Sequence, residues 1–399
     1  MDSYVIDWIS LILRWLHLIT GIAWIGASFY FIWLDNSLQE PAAWKKHKGI
    51  KGELWAVHGG GIYEVDKYHG APETMPPHLH WFKWEAYSTW LTGMLLLAVI
   101  YYLGADVYLV DRRVADLTAV QATGIGIAFL VGSWVLYSLL CISPLARNGW
   151  LLGAVLLGVG AALAWALSNV FSGRGAYIHF GAIIGTLMVG NVFRVIMPGQ
   201  RRLVGALERG ETPDPAWGER AKLRSTHNTY LTLPLLFIMI SNHYPMTYGH
   251  RLNWLILLAI VVITAVARQF FILRHKGISR PAILVASATA TVVLAVLIAP
   301  RPATVQRPAL DGDALATRAR GIIREHCAGC HAAEPTDPAF AAAPGGVLLD
   351  SVDAMVQWAP RIKARSVDSH DMPLMNKTGM TLEERAIVGR WIDAGAPPG

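Results

Sequence analysis

The sequence predicts an all-α chain in two parts, a polytopic membrane helix bundle followed by a small soluble helical domain. Three observations predict it. Of 399 residues, 54% are hydrophobic and only 16% charged, where a soluble chain carries about a quarter. Nearly all the long apolar runs lie within residues 1–300. Charge divides at the same place: residues 301–399 hold 11 Lys+Arg against 12 Asp+Glu, net −1, leaving 23 against 16, net +7, for residues 1–300. The basic excess thus belongs to the apolar part and points to a lipid bilayer rather than to nucleic acid.

A bilayer span needs roughly 17–25 apolar residues. Runs of this kind stand at 4–34, 84–103, 119–141, 150–168, 177–197, 228–242, 252–273 and 281–299, which gives eight spans. The sixth is short and contains Pro234, tolerated where neighbouring helices satisfy the freed backbone. The first run lacks a basic leader and is too long for a cleavable signal. Loop charge tests the count. The loops at 35–83, 142–149, 198–227 and 274–280 hold sixteen Lys and Arg, and the opposite side holds only Arg112, Arg113, Arg174 and Arg251. Short cytoplasmic loops accumulate cations, so both termini are expected outside.

Small residues recur in the spans at Gly153, Gly158, Gly160, Gly181, Gly185 and Gly190, a pattern of close helix packing. Ionisable residues at membrane depth are functional candidates because burying them is costly. Arg14 and His17 are three apart and share a helix face. The others are His179, Arg194, His227, His243 and Arg268. The loop at 35–83 is too long for mere connection, and its His58, His69, His78 and His80 are only a weak metal signal.

Prolines in residues 301–309 predict an extended linker, with a folded domain over 310–399. Residues 313–325 have helical periodicity and run into Cys327-Ala328-Gly329-Cys330-His331. C-x-x-C-H is the attachment signal of a c-type haem. Two thiols three apart can add to the two vinyl groups of one haem, and the adjacent His331 can bind the iron. A zinc site would need a second cysteine pair, and a thioredoxin-like site a βαβ pattern that is missing. The domain therefore reads as a small class I-like cytochrome c. Met372 is the first choice for the opposite axial ligand, Met375 the second and His370 the third; thioether ligation raises the reduction potential. Met355 reads as core filling. Thr381 with Glu384 predicts a capping box for a last helix, with Ile387, Val388 and Trp391 inward and Gly395 at its end.

The run Gly59–Trp90 (GGGIYEVDKYHGAPETMPPHLHWFKWEAYSTW), with Arg14-Trp15-Leu16-His17 and Thr226-His227-Asn228-Thr229-Tyr230, resembles the bacterial membrane-bound urate oxidases (urate hydroxylases) that end in a cytochrome c domain. The likeness covers nearly the whole chain, including its Asn376–Arg385 segment. It implies a bacterial inner-membrane enzyme of purine degradation with the cytochrome on the periplasmic side. The implied reaction is oxidation of urate to 5-hydroxyisourate, with electrons passed to haem c and on to a periplasmic acceptor or terminal oxidase. Urate is a flat anion, so its site needs a cation or N–H donors, an apolar wall and a base. Arg14 with His17, His227 with Asn228 and Tyr230, and Arg268-Gln269-Phe270 are the clusters that offer these.

Electrons from cytoplasmic urate would have to cross an apolar layer about 30 Å thick. Either the urate site lies in the outer half, near His17, His179 and His243, or a b-type haem held by His17 and another intramembrane histidine relays them. The competing reading is a membrane-anchored cytochrome subunit carrying electrons without urate chemistry. A transporter fused to a cytochrome would show an inverted repeat, and none is evident.

Overall fold

In a computed structural model, residues 3–299, 312–338, 340, 342–368 and 370–398 are described. The expected linker at 301–309 and the domain start at Leu310 lie outside them. Every apolar run is helical: α1 (Ser3–Ser37), α2 (Trp84–Leu96), α3 (Ala119–Ile142), α4 (Gly149–Ser168), α5 (Gly173–Glu208), α6 (Pro215–Ser241), α7 (Asn253–His275) and α8 (Ala282–Leu297). Among the described residues five helical stretches are long and apolar enough to cross a membrane, namely Trp8–Ser37, α3, α4, α5 and α7. The other three differ for local reasons. α2 is α-helical for only 13 residues before it widens to a π-helix at Leu97–Tyr102. α6 opens on a polar stretch around Glu219, Arg220 and Lys222, and α8 has only 16 residues.

Side chains set the helix starts. Thr118 and Gln121 form a reciprocal capping box on α3, Asn148 caps α4, Ser172 caps α5, and Asp214 caps α6 ahead of Pro215, so orphan N–H groups have acceptors at membrane-facing ends. α5 is the central helix, packed against α3, α4 and α6, while α7 packs on α4, α6 and α8 and α1 lies along α2. The core around α5 includes Tyr177, Ile183, Leu167 and Leu257. Two of the expected small-residue contacts are real: a side chain at Gly181 would strike Ile238 and one at Gly190 would strike Trp134, whereas Gly153, Gly158 and Gly185 face open space. The outward face of α1 is a column of exposed Trp8, Ile12, Trp15, Ile19 and Ile22, as a lipid-facing helix requires.

The all-α expectation needs one correction. The long loop after α1 folds as an antiparallel hairpin, β1 (Ile50–His58) with β2 (Gly61–Tyr68). Gly59 and Gly60 both have positive φ at its two-residue turn, the conformation that matches strand twist and that glycine adopts without steric cost. Lys45, itself buried, reaches Glu53, Glu64 and Asp66, and burial works against its charge while these three partners raise its pKa.

The C-terminal unit is helical. α9 (Gly312–Cys327) packs on α10 (Leu382–Asp393) over a core of Ile322, Ile323, Met355, Val388 and Trp391. The expected capping box between Thr381 and Glu384 is present, and Gly395 follows α10 with φ 89°. Met355 is fully buried.

Candidate functional site

A cavity of about 500 Å3 opens between α1, α2, α5 and α6, and among its lining residues are Arg14, His17, Tyr101, Asn228 and Asn242. That is within the usual range for small-ligand sites. Both π-helical segments of the membrane unit contribute to its wall: Leu97, Ile100 and Tyr101 from one, Val192 and Ile196 from the other. The widened turns displace side chains from the helical register, a distortion that concentrates at functional sites.

His17 is held across the α1–α2 contact. Its Nδ1 lies 3.0 Å from the Thr89 carbonyl oxygen and 3.0 Å from Thr92 Oγ1. Thr92 donates its own proton to the Ser88 carbonyl, 2.7 Å away. Both neighbours of Nδ1 are therefore acceptors, Nδ1 carries the proton, and Nε2 is left as the ring nitrogen with the lone pair. Gly93 makes the approach possible, since a Cβ there would sit 2.9 Å from His17 Cε1.

At one end of the cavity, the Tyr101 hydroxyl donates to Asn242 Oδ1 at 3.1 Å, and Arg174 Nε donates to Tyr101 and Asn242 at 3.1 and 3.2 Å. The Arg174 guanidinium also lies 5.0 Å from the Tyr108 ring centroid. No carboxylate lies within ion-pair distance of Arg14, Arg174, Arg224 or Arg268 among the described residues. Those four arginines thus have no carboxylate counter-ion among the described residues, a field that favours anions.

Sequence expectations are partly gathered here. Arg14, His17 and Asn228 share the cavity, and the exposed His243 lines it. His227 belongs to an adjoining network. Asn191 Nδ2 donates to Tyr137 at 2.9 Å and to Asn228 Oδ1 at 2.8 Å, and the Tyr137 hydroxyl is hydrogen-bonded to His227 Nδ1 at 2.8 Å. The buried Arg224 donates to Asn191 Oδ1 and lies over the Tyr137 ring. Tyr230 is elsewhere, donating to Gln269 Oε1. His179 is fully buried against Phe171, Tyr101 and Tyr102, and its Nε2, beside Gly126, has no hydrogen-bond partner among the described residues. Tyr101, Asn242, Arg174 and Asn191 were missed. A lone Asn191 within an apolar run was a usable signal.

In the C-terminal unit, Cys327 and Cys330 are both free thiols. Burial pushes the Cys327 thiol up to about 12, and burial with Asp337 raises that of Cys330. His331 Nδ1 donates to the Val347 carbonyl at 3.1 Å, which frees Nε2 as a ligand in the manner of iron-binding histidines. Met372 and Met375 are half-buried and His370 is exposed. Arg385 donates to the Met372 carbonyl at 2.7 Å. The loop that carries both methionines also meets the membrane unit. Arg113, paired with Asp111, donates to the Met375 carbonyl, and the Tyr248 hydroxyl, whose pKa burial raises, feels Asp371 and Arg365.

Residues 3–299 match the family model described as urate oxidase N-terminal. The chain belongs to the urate oxidase N-terminal family. The match ends just before the C-terminal unit, so family membership rests on the bundle that contains the cavity. No curated relative and no solved structure matches this urate-oxidase-related chain.

Proposed function

We propose that the chain is a membrane urate oxidase that converts urate and water to 5-hydroxyisourate, releasing two electrons and two protons, and that its C-terminal unit is a cytochrome c. The observation that carries the reading is the cavity in which an arginine without a carboxylate partner and a histidine with a free Nε2 stand on one face of α1, within a bundle assigned to the urate oxidase family. Arg14 attracts the urate anion, Asn228 and Asn242 offer amide groups to its carbonyl and ring N–H edges, and His17 Nε2 accepts a proton from the ring or from the attacking water. The apolar wall excludes bulk solvent and strengthens each of these interactions. His227 supports Asn228 indirectly, through Tyr137 and Asn191.

Cys327 and Cys330 would attach the haem and His331 and Met372 would hold its iron, and when bound it supplies a one-electron acceptor of raised potential. The eight helices are read as eight spans in a bacterial inner membrane, with the cation-rich loops cytoplasmic and both termini and the cytochrome periplasmic. Arg14, Tyr101 and Asn242 then belong to the outer half of the cavity. Arg174 and Tyr108 continue from there toward the outer loops, where Arg113 meets the methionine loop of the C-terminal unit. This arrangement supports a short route out of the cavity.

The test uses purified full-length protein without oxygen. Urate should be consumed with two equivalents of a one-electron acceptor per molecule and appear as 5-hydroxyisourate. No urate consumption, with quinol reducing the haem instead, would favour the membrane-anchored electron-transfer subunit.

A further inference from the structure

Arg268 is 3% exposed on α7, and its Nε and Nη2 are both buried with no hydrogen-bond acceptor among the described residues. These two nitrogens form one edge of the guanidinium. Elsewhere the same edge grips two oxygens: Arg113 holds Asp111 at 2.9 and 2.7 Å, and Arg209 holds Glu211 at 2.9 and 2.6 Å. Those arginines are exposed, where such a pair contributes little. At Arg268 the paired donors are buried, and burying charged donors without an acceptor is far more costly.

The surroundings select the kind of acceptor. The guanidinium carbon lies 4.2 Å from the Phe29 ring centroid, a cation–π contact that fixes the plane of the fork. Tyr230 and Gln269 satisfy each other and leave the fork unpaired. Phe29 follows cavity-lining Ser28 on α1, so Arg268, which does not itself line the cavity, stands behind its wall there; Tyr230, two residues from cavity-lining Asn228 and Thr232, is on the opposite face of α6. His17 and Phe29 are twelve residues apart on α1, roughly 18 Å along a helix, farther than one purine reaches.

We infer that Arg268 is a second anion position, in the inner half of the bundle, which captures a planar purine anion through two adjacent acceptors on its edge before the anion reaches His17. This rests on the urate reading of the same cavity. Two parallel N–H donors match a carbonyl oxygen beside a deprotonated ring nitrogen, and Phe29 and Tyr230 supply aromatic surface beside it.

The test is urate-driven haem reduction by the full-length protein in detergent, read as KM and saturating rate. Arg268→Lys keeps the charge and loses the fork; Arg268→Gln loses both. Each should raise the KM for urate at least tenfold while much of the saturating rate remains. A KM within twofold of wild type in either variant, with normal assembly and haem spectrum, overturns the inference. If neither variant assembles, Phe29→Leu decides, with a KM raised at least threefold in support and an unchanged KM against. Wild-type protein that oxidises no urate defeats the functional reading itself, whereas urate oxidation with an unmoved KM defeats only the Arg268 position.

Discussion

His17 Nδ1 and the Thr89 carbonyl oxygen meet at 3.0 Å across two helices, and this contact leaves Nε2 as the basic nitrogen of the ring. Removing a positioned proton acceptor commonly lowers turnover on the order of 10²–10⁴. His17→Gln should lower urate turnover by at least about a hundredfold and leave haem content unchanged. Steady-state kinetics with a haem spectrum checks it, and near-wild-type turnover would remove His17 from the chemistry.

Gly93 gives a steric version of the same test. Its missing Cβ leaves 2.9 Å to His17 Cε1, so Gly93→Val has to push the imidazole off Thr89. Turnover should fall as in the His17 variant, with the C-terminal unit unaffected.

The cytochrome ligands separate spectroscopically. Cys327→Ala should abolish double thioether attachment. Met372→Ala should lower the reduction potential while keeping covalent haem, since thioether ligation is what raises it. Potentiometry of the Met372 and Met375 variants identifies the ligand: the potential falls in the first and stays in the second.

Acid should weaken the C-terminal unit through its capping box. Burial opposes ionisation of Glu384, but hydrogen bonds from Thr381 and the charge of His326 outweigh it and hold the carboxyl below its ordinary 4.5. A depressed folded pKa contributes stability that is present above about pH 4.5 and is lost as pH falls through the folded value. Thr381→Ala should cost about 1 kcal/mol and flatten that acid dependence. Thermal unfolding of the full-length protein against pH, followed by the haem absorbance of the C-terminal unit, measures both.

How much of this was legible in sequence depended on range. Hydropathy located all eight helices, and the spacing of Thr381 with Glu384 and of Cys327 with Cys330 and His331 is local, so those readings needed no fold. The hairpin was written in the alternation around Trp55 and Tyr63 and in the Gly59-Gly60 turn, yet it was overlooked beside stronger helical signals. Composition could not reveal that Tyr101, Asn242 and Arg174 converge from three separate segments, that His227 serves Asn228 through Tyr137, or that Arg268 keeps two donors unpaired. Each of these is a contact between residues distant in the chain, set by helix packing alone.

Urate oxidised in the α1–α2–α5–α6 cavity should deliver its electrons to a haem on Cys327 and Cys330. The most direct test of this transfer is the visible spectrum of the oxidised full-length protein mixed with urate in the absence of oxygen. The reduced c-type α-band should appear with urate in wild type and fail to appear in the His17→Gln variant, although dithionite reduces both. An α-band that stays absent with urate in wild type, while quinol brings it up, would contradict it.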